Sequence, residues 1–262
     1  MRPPVFTGPM SPGSSRGSFI AERLAEVRRQ VARAAETAGR DPEVVRIVAV
    51  TKGFGVEVVA DAREAGLDMF GESRVQEALP KIAAQPDAEW HLVGHLQANK
   101  VRRAAGAFTV LHGVDSLDLL ARIETAGHEL GVRPRVLLQV NLAQAPNQHG
   151  FDAAWFADQV ASAGDLVRAL RKPRTAPVMG LMAIGPVGAG DEAARRCFGE
   201  LRRLRDAIQQ TSGMALPELS MGMSDDYPAA VAEGATLIRV GTALLGPRPD
   251  ALSRTGRAEA AR

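Results

Sequence analysis

Lys52 closes an apolar run, Ile47-Val48-Ala49-Val50, so its side-chain stem is walled by core if that run is a strand. Burial lowers the pKa of a lysine, because the charged form loses hydration. The neutral amine is the form that attacks an aldehyde to make an imine. The same position also fits a surface lysine that snorkels from a strand end. A second pattern suits an anion. Gly222-Met223-Ser224 and Gly241-Thr242 place glycines, whose backbone can approach an oxyanion closely, beside hydroxyls that add hydrogen bonds. Ser224 equally fits a helix N-cap with Asp225 and Asp226 in the first turn, and one terminus can serve both purposes. That helix-start role is preferred over an acid/base role for the two aspartates. His91, His95 and His112 lie near one another in sequence, but their spacings match no common ligand set and no thiolate joins them, so no metal is expected. No G-x-S-x-G elbow marks a nucleophilic serine. The single cysteine, Cys197, falls in a helical stretch and reads as a buried helix residue rather than a catalytic thiol.

The elements that must position these residues alternate regularly. Strands are predicted at Arg46–Val50, Asp68–Gly71, Trp90–Gly94, Val110–Gly113, Arg135–Asn141, Val178–Ile184, Glu218–Gly222 and Leu237–Gly241. Helical stretches are predicted near 55–66, 72–85, 97–105, 116–130, 152–170, 190–211 and 224–233, with a short one at 242–245. Eight β-helix units demand a parallel sheet and close naturally into a single-domain (β/α)8 barrel. The alternative is a doubly wound open sheet. Thr51-Lys52-Gly53-Phe54-Gly55 after the first strand does not supply the G-x-G-x-x-G that would favour it. In a barrel the working face is the C-terminal end of the strands, and polar and small residues gather there: Lys52, Ser73, His95, Asn141, Met182, Ser224, Arg239 and Thr242 all stand at or just beyond strand exits.

Composition is consistent with this. The chain has 262 residues and a net charge of +2, too small to argue for a nucleic-acid partner. One cysteine cannot form an internal disulfide, so no oxidising compartment is needed. No apolar run approaches the ~20 residues of a membrane span. A cytoplasmic location without membrane attachment is expected. Residues 1–17 are rich in Pro, Gly and Ser and read as a disordered leader. Residues 18–248 form the barrel domain, opened by a helix over Ser18–Ala38 with Ser18 as its cap, and 249–262 read as a polar tail.

Several ordered blocks resemble the pyridoxal phosphate homeostasis protein family. They are Val48-Ala49-Val50-Thr51-Lys52, Phe70-Gly71-Glu72-Ser73-Arg74-Val75-Gln76-Glu77, the run from Trp90 to Lys100, Gly180-Leu181-Met182-Ala183-Ile184, Leu219 to Asp226, and Ile238 to Gly246. The resemblance runs from about residue 18 to 248, in order and at family spacing. It implies a barrel like the N-terminal domain of bacterial alanine racemase. It implies pyridoxal 5′-phosphate held as a Schiff base on Lys52, with the phosphate on Ser224, Gly241 and Thr242. It also implies Arg239 facing the pyridine nitrogen, and Asn141 and Met182 near the ring. The chain departs from the family pattern at Ser73, a cofactor-contacting position where Asn is common, and at Gln148, where Lys is frequent.

The resemblance further implies a carrier rather than an enzyme. An arginine at the pyridine nitrogen weakens the ring as an electron sink, although alanine racemase has one there too. Racemisation also needs proton donors on both faces of the substrate carbon. In the racemase the second donor is a tyrosine from an additional domain. The only tyrosine of this chain, Tyr227, reads as a packing residue. The expected role is therefore vitamin B6 and amino-acid homeostasis, with apo-enzymes that use the cofactor as recipients and a monomeric state. The alternatives are a pyridoxal-phosphate-dependent amino-acid racemase and a cofactor-free Schiff-base aldolase.

Overall fold

The short apolar runs form eight strands in the computed structural model, which describes residues 15–248 apart from 144, 146 and 173. They are β1 (Arg46–Val50), β2 (Met69–Glu72), β3 (Glu89–Leu92), β4 (Val110–Val114), β5 (Arg135–Asn141), β6 (Val178–Met182), β7 (Glu218–Ser220) and β8 (Leu237–Val240). Each strand pairs in parallel with the next, and β4 pairs with β5. The ring closes where Ile47 lies opposite Ile238 and Ala49 opposite Val240. A two-residue extension, Phe151–Asp152, adds to the end of β5. The expected (β/α)8 barrel is the fold, and the open sheet is excluded by the β8–β1 pairing.

Both faces of the ring are buried, as a parallel barrel requires. Outside it, the helices pack on residues such as Phe70, Val136, Leu138, Leu181, Leu219 and Ile238. Inside it, Val48, Val110, Leu137, Met182 and Leu237 form a separate cluster. The two clusters follow from the period-2 alternation of side chains along each strand.

Several expected boundaries move. The first helix is Arg16–Thr37, starting two residues earlier than Ser18, and it is Ser15 whose hydroxyl accepts from the Ser18 amide at 3.1 Å. Arg16 and Gly17 are therefore helical rather than part of the leader. The rest of the leader, 1–14, and the tail, 249–262, lie outside the described residues. The helix expected over 152–170 is two, Ala153–Ala161 and Asp165–Leu170. Ala163 between them takes φ 49°, and a side chain on Gly164 would lie 2.3 Å from Gln159 Oε1. Strands β3, β6 and β7 stop two residues before Gly94, Ile184 and Gly222. At Gly222 the reason is visible: φ is 91°, and a Cβ would meet Ala230 Cβ at 2.6 Å, so the chain turns out of the ladder there.

Candidate cofactor site at the mouth of the barrel

A cavity of about 240 Å³ opens at the C-terminal end of the strands. Its polar lining is Lys52 and Ser73 beyond β1 and β2, Ser224 and Asp225 beyond β7, Arg239 from β8, and Gly241, Thr242 and Arg248 beyond it. Val50, Phe54, Val93, Met182, Ile184 and Met223 supply apolar wall. A larger groove of about 760 Å³ lies at the other end, between the first helix and the starts of β1 and β2. It holds none of the converging groups, and barrels of this kind work at the opposite face.

Lys52 is half-buried, and its pKa is lowered first by burial and then by the neighbouring charges of Arg248 and Arg239, against a weaker opposing pull from Glu72. The backbone just before it is fixed by a buried ion pair. Lys81 Nζ donates to Glu72 Oε1 at 2.5 Å and to the Thr51 carbonyl at 2.8 Å. The Thr51 hydroxyl donates to the same carboxylate oxygen at 2.6 Å. Lys81 and Glu72 thus clamp the exit of β1.

Arg239 is buried, and burial lowers its pKa to about 10, so it remains a cation at neutral pH. Its Nη1 donates to Ser220 Oγ at 2.7 Å and its Nη2 to the Ala183 carbonyl at 2.9 Å. From Ser220 a line of hydrogen bonds crosses the barrel interior. Ser220 Oγ lies 2.8 Å from His112 Nδ1, His112 Nε2 lies 2.8 Å from His91 Nδ1, and His91 Nε2 lies 2.9 Å from Glu89 Oε1. Arg135 Nη2 donates to that carboxylate at 2.6 Å. Burial lowers the pKa of both imidazoles, holding them neutral. The His91 hydrogen bond, with Arg135 beside it, draws the Glu89 carboxyl down to about 2.

Ser224 accepts from the Ala243 amide at 3.2 Å, joining the loop after β7 to the turn after β8. It does not cap the following helix. That helix is Tyr227–Ala232, and Asp226 precedes it, accepting instead from the Met223 amide at 2.6 Å. Seven of the eight expected site residues therefore line one cavity. Asn141 does not. Its side-chain amide donates to the Ala145 and Gln148 carbonyls at 3.1 and 3.0 Å, holding its own loop closed. Gln148 in turn donates to the Ile184 carbonyl at 3.3 Å. Tyr227 is buried, donates to Gln30 Oε1 at 2.7 Å and does not line the cavity. Cys197 is buried, and burial raises its pKa to about 11. Arg248 was given no role by the sequence; nothing in Gly246-Pro247-Arg248 signals that its stem packs over Gly53, with Cδ 3.0 Å from where a Cβ would stand.

Residues 23–249 match the alanine racemase N-terminal domain family. The pyridoxal phosphate homeostasis protein of Synechocystis is 42% identical over 210 residues, covering 79% of this chain and 93% of its own length. That of Escherichia coli is 35% identical, covering 87% and 97%. The chain belongs to the pyridoxal phosphate homeostasis protein family. Among solved structures, family member PipY of Synechococcus elongatus with pyridoxal phosphate bound is 38% identical with a TM-score of 0.73, covering 87% of this chain and all of that one. An alanine racemase of Clostridium difficile is 14% identical with a TM-score of 0.67, and this chain spans 57% of its length, which establishes a shared fold alone.

Family membership agrees with the blocks that carried the resemblance. Among the described residues, no helix is long and apolar enough to cross a membrane.

Proposed function

We propose that this chain binds pyridoxal 5′-phosphate at the mouth of its barrel and holds it for delivery to apo-enzymes, without turnover of its own. The observation that carries the reading is the company of Lys52. An amine whose pKa is lowered by burial shares one cavity with two arginines, three hydroxyls and an apolar wall. That donor set fits an aromatic aldehyde bearing a phosphate. Lys52, whose amine gives up its proton more readily for being buried, would hold the aldehyde carbon through Nζ. Ser224, Thr242 and the backbone at Gly241 receive the phosphate. Arg239, held by Ser220 and the Ala183 carbonyl, would be the group that meets the ring nitrogen. When bound, the cofactor supplies a reactive aldehyde and an electron sink, and an arginine at the nitrogen moderates the sink. PipY solved with pyridoxal phosphate and the naming of the relatives as homeostasis proteins support the same reading.

The test is an absorbance spectrum of the purified protein with added pyridoxal phosphate, followed by borohydride reduction and mass spectrometry. A reduced adduct on the Lys52 peptide, absent in Lys52→Ala, is expected. A stable adduct found only on Lys81 or Lys100 would overturn the assignment.

A racemase is the second reading, favoured by the fold shared with alanine racemase. It needs a proton donor facing Lys52 across the substrate, and the one tyrosine is committed to Gln30. Incubation with L-amino acids in heavy water separates the two. Sustained deuterium uptake at the α-carbon, lost in Lys52→Ala, would replace the carrier with an enzyme.

A further inference from the structure

Beyond the cofactor cavity, three side chains at the mouth converge without a part in the proposal above. His95 leaves β3, Asp115 leaves β4 and His149 sits in the loop after β5. His95 Nδ1 is 3.1 Å from Asp115 Oδ2, and His149 Nδ1 is 3.7 Å from the same oxygen. The two imidazoles stack with centroids 3.6 Å apart and planes 10° from parallel. All three donor atoms lie within 4.8 Å of one another.

We infer that His95, Asp115 and His149 form a binding site for a divalent transition-metal ion of the zinc type. The separations carry the argument. Zinc holds nitrogen and oxygen ligands at about 2.0–2.1 Å, so two ligands in tetrahedral arrangement stand about 3.3 Å apart. His95 and Asp115 already meet that spacing, and His149, which stacks on His95, reaches it by rotation of its ring out of the stack, which lets both in-plane lone pairs converge on one ion. Two imidazoles and one carboxylate suit zinc, nickel or cobalt; calcium and magnesium prefer oxygen ligands throughout. Three protein ligands leave a coordination position open to water or another small ligand at the mouth.

The backbone beneath the ligands is fixed. A Cβ on Gly94 would stand 2.3 Å from the Ser73 carbonyl oxygen, and one on Gly113 would stand 2.6 Å from the Gly94 carbonyl oxygen, so β2, β3 and β4 are in close contact where His95 and Asp115 emerge. The His149 carbonyl accepts from Gln139 Nε2 at 2.5 Å, and the preceding carbonyl, of Gln148, accepts from Asn141 at 3.0 Å. The site borders the cofactor cavity, because Val93 and Ile184 line that cavity while Val93 stands two residues before His95 and the Ile184 carbonyl takes the Gln148 amide. Its geometry does not depend on the cofactor reading.

The test uses the full chain without a histidine tag and without added pyridoxal phosphate. Titration with Co²⁺, read by its visible ligand-field bands, and competition by Zn²⁺ should report one tight equivalent. Loss of a second-shell partner alone costs about 10–100-fold in metal affinity. His149→Ala and Asp115→Asn, which remove ligands, should therefore each weaken binding by at least about 100-fold. His128→Ala, at an exposed histidine elsewhere, should leave affinity unchanged, and so should Lys52→Ala. Unaltered thermal midpoints establish that the variants are folded; if His149→Ala is not, His149→Gln replaces it. Affinity unchanged in a His95→Ala/His149→Ala double variant, or lost in Lys52→Ala, would overturn the site.

Discussion

Lys81→Met offers a direct measure of how the β1 exit is held. The Glu72 and Lys81 side chains are 0% and 5% exposed, and Nζ lies 2.5 Å from the carboxylate. Methionine is close in volume and fills the space, so the change removes charge rather than packing. It leaves a buried carboxylate with only the Thr51 hydroxyl as donor, and it strips the Thr51 carbonyl of its Lys81 bond. Breaking one side of a buried pair typically costs about 3–5 kcal/mol. In a barrel of this size 1 kcal/mol moves the thermal midpoint by about 2–4 °C, so a fall of about 6–20 °C is expected. Glu72→Gln/Lys81→Met removes both desolvation penalties and should regain most of that loss. Chemical denaturation of the wild type and the single and double variants gives the three values. A single variant within about 1 kcal/mol of wild type, or a double no better than the single, would refute the clamp. The single variant should also capture pyridoxal phosphate more slowly, since Lys52 follows Thr51 directly.

Other predictions follow the same residues. Glu89 titrates at about 2 instead of its ordinary 4.5, so it contributes stability above about pH 4.5 that is lost as pH falls toward 2; at 1.36 kcal/mol per unit this is about 3 kcal/mol. Glu89→Gln, which can still accept from His91, should flatten that acid limb in urea titrations across pH 2–6. The Lys52 pKa is lowered in the fold, so its charged form disfavours folding below the folded pKa and the penalty fades as pH rises toward the unfolded value. Lys52→Met should therefore be more stable than wild type at pH 7, with the gap narrowing by pH 10; a constant gap would count against a desolvated amine. Ser224→Ala and Thr242→Ala should each weaken pyridoxal phosphate binding by about 1.5–3 kcal/mol and leave binding of phosphate-free pyridoxal little changed, as read by spectral titration.

The strands were legible because each is a short run around apolar residues bounded by glycine, proline or polar residues, and Lys52, Ser224 and Thr242 were legible because barrel chemistry belongs at strand exits. What escaped depends on closure. His91, His95 and His112 were grouped in sequence without an assigned role, and the ring of strands separates them: His91 and His112 turn inward toward each other and Ser220, while His95 emerges at the mouth beside Asp115 and His149. Asn141 has the residue type of a ligand contact, but its amide is used by two carbonyls of the loop it begins. Arg248 reaches the cavity only because the chain folds back over Gly53. The single helix expected over 152–170 failed at Ser162-Ala163-Gly164, where helical periodicity continues in sequence although the backbone reverses hand at Ala163.

The interior line from Arg239 to Glu89 has a fixed sense. A carboxylate can only accept and a guanidinium can only donate, so each neutral ring between them has one permitted tautomer, with its proton on Nε2, and the Ser220 hydroxyl must turn its hydrogen toward His112. The floor of the barrel thereby dictates which way a hydroxyl rotates at its rim. A lysine in place of Glu89 would invert every proton along the row, and the Ser220 oxygen would then accept from both His112 and Arg239, freeing its hydrogen. Strands β3, β4, β7 and β8 therefore share one proton order: a chimera that takes β3 from a relative with a different residue at Glu89 would reset the tautomers of His91 and His112 and the turn of the Ser220 hydroxyl together.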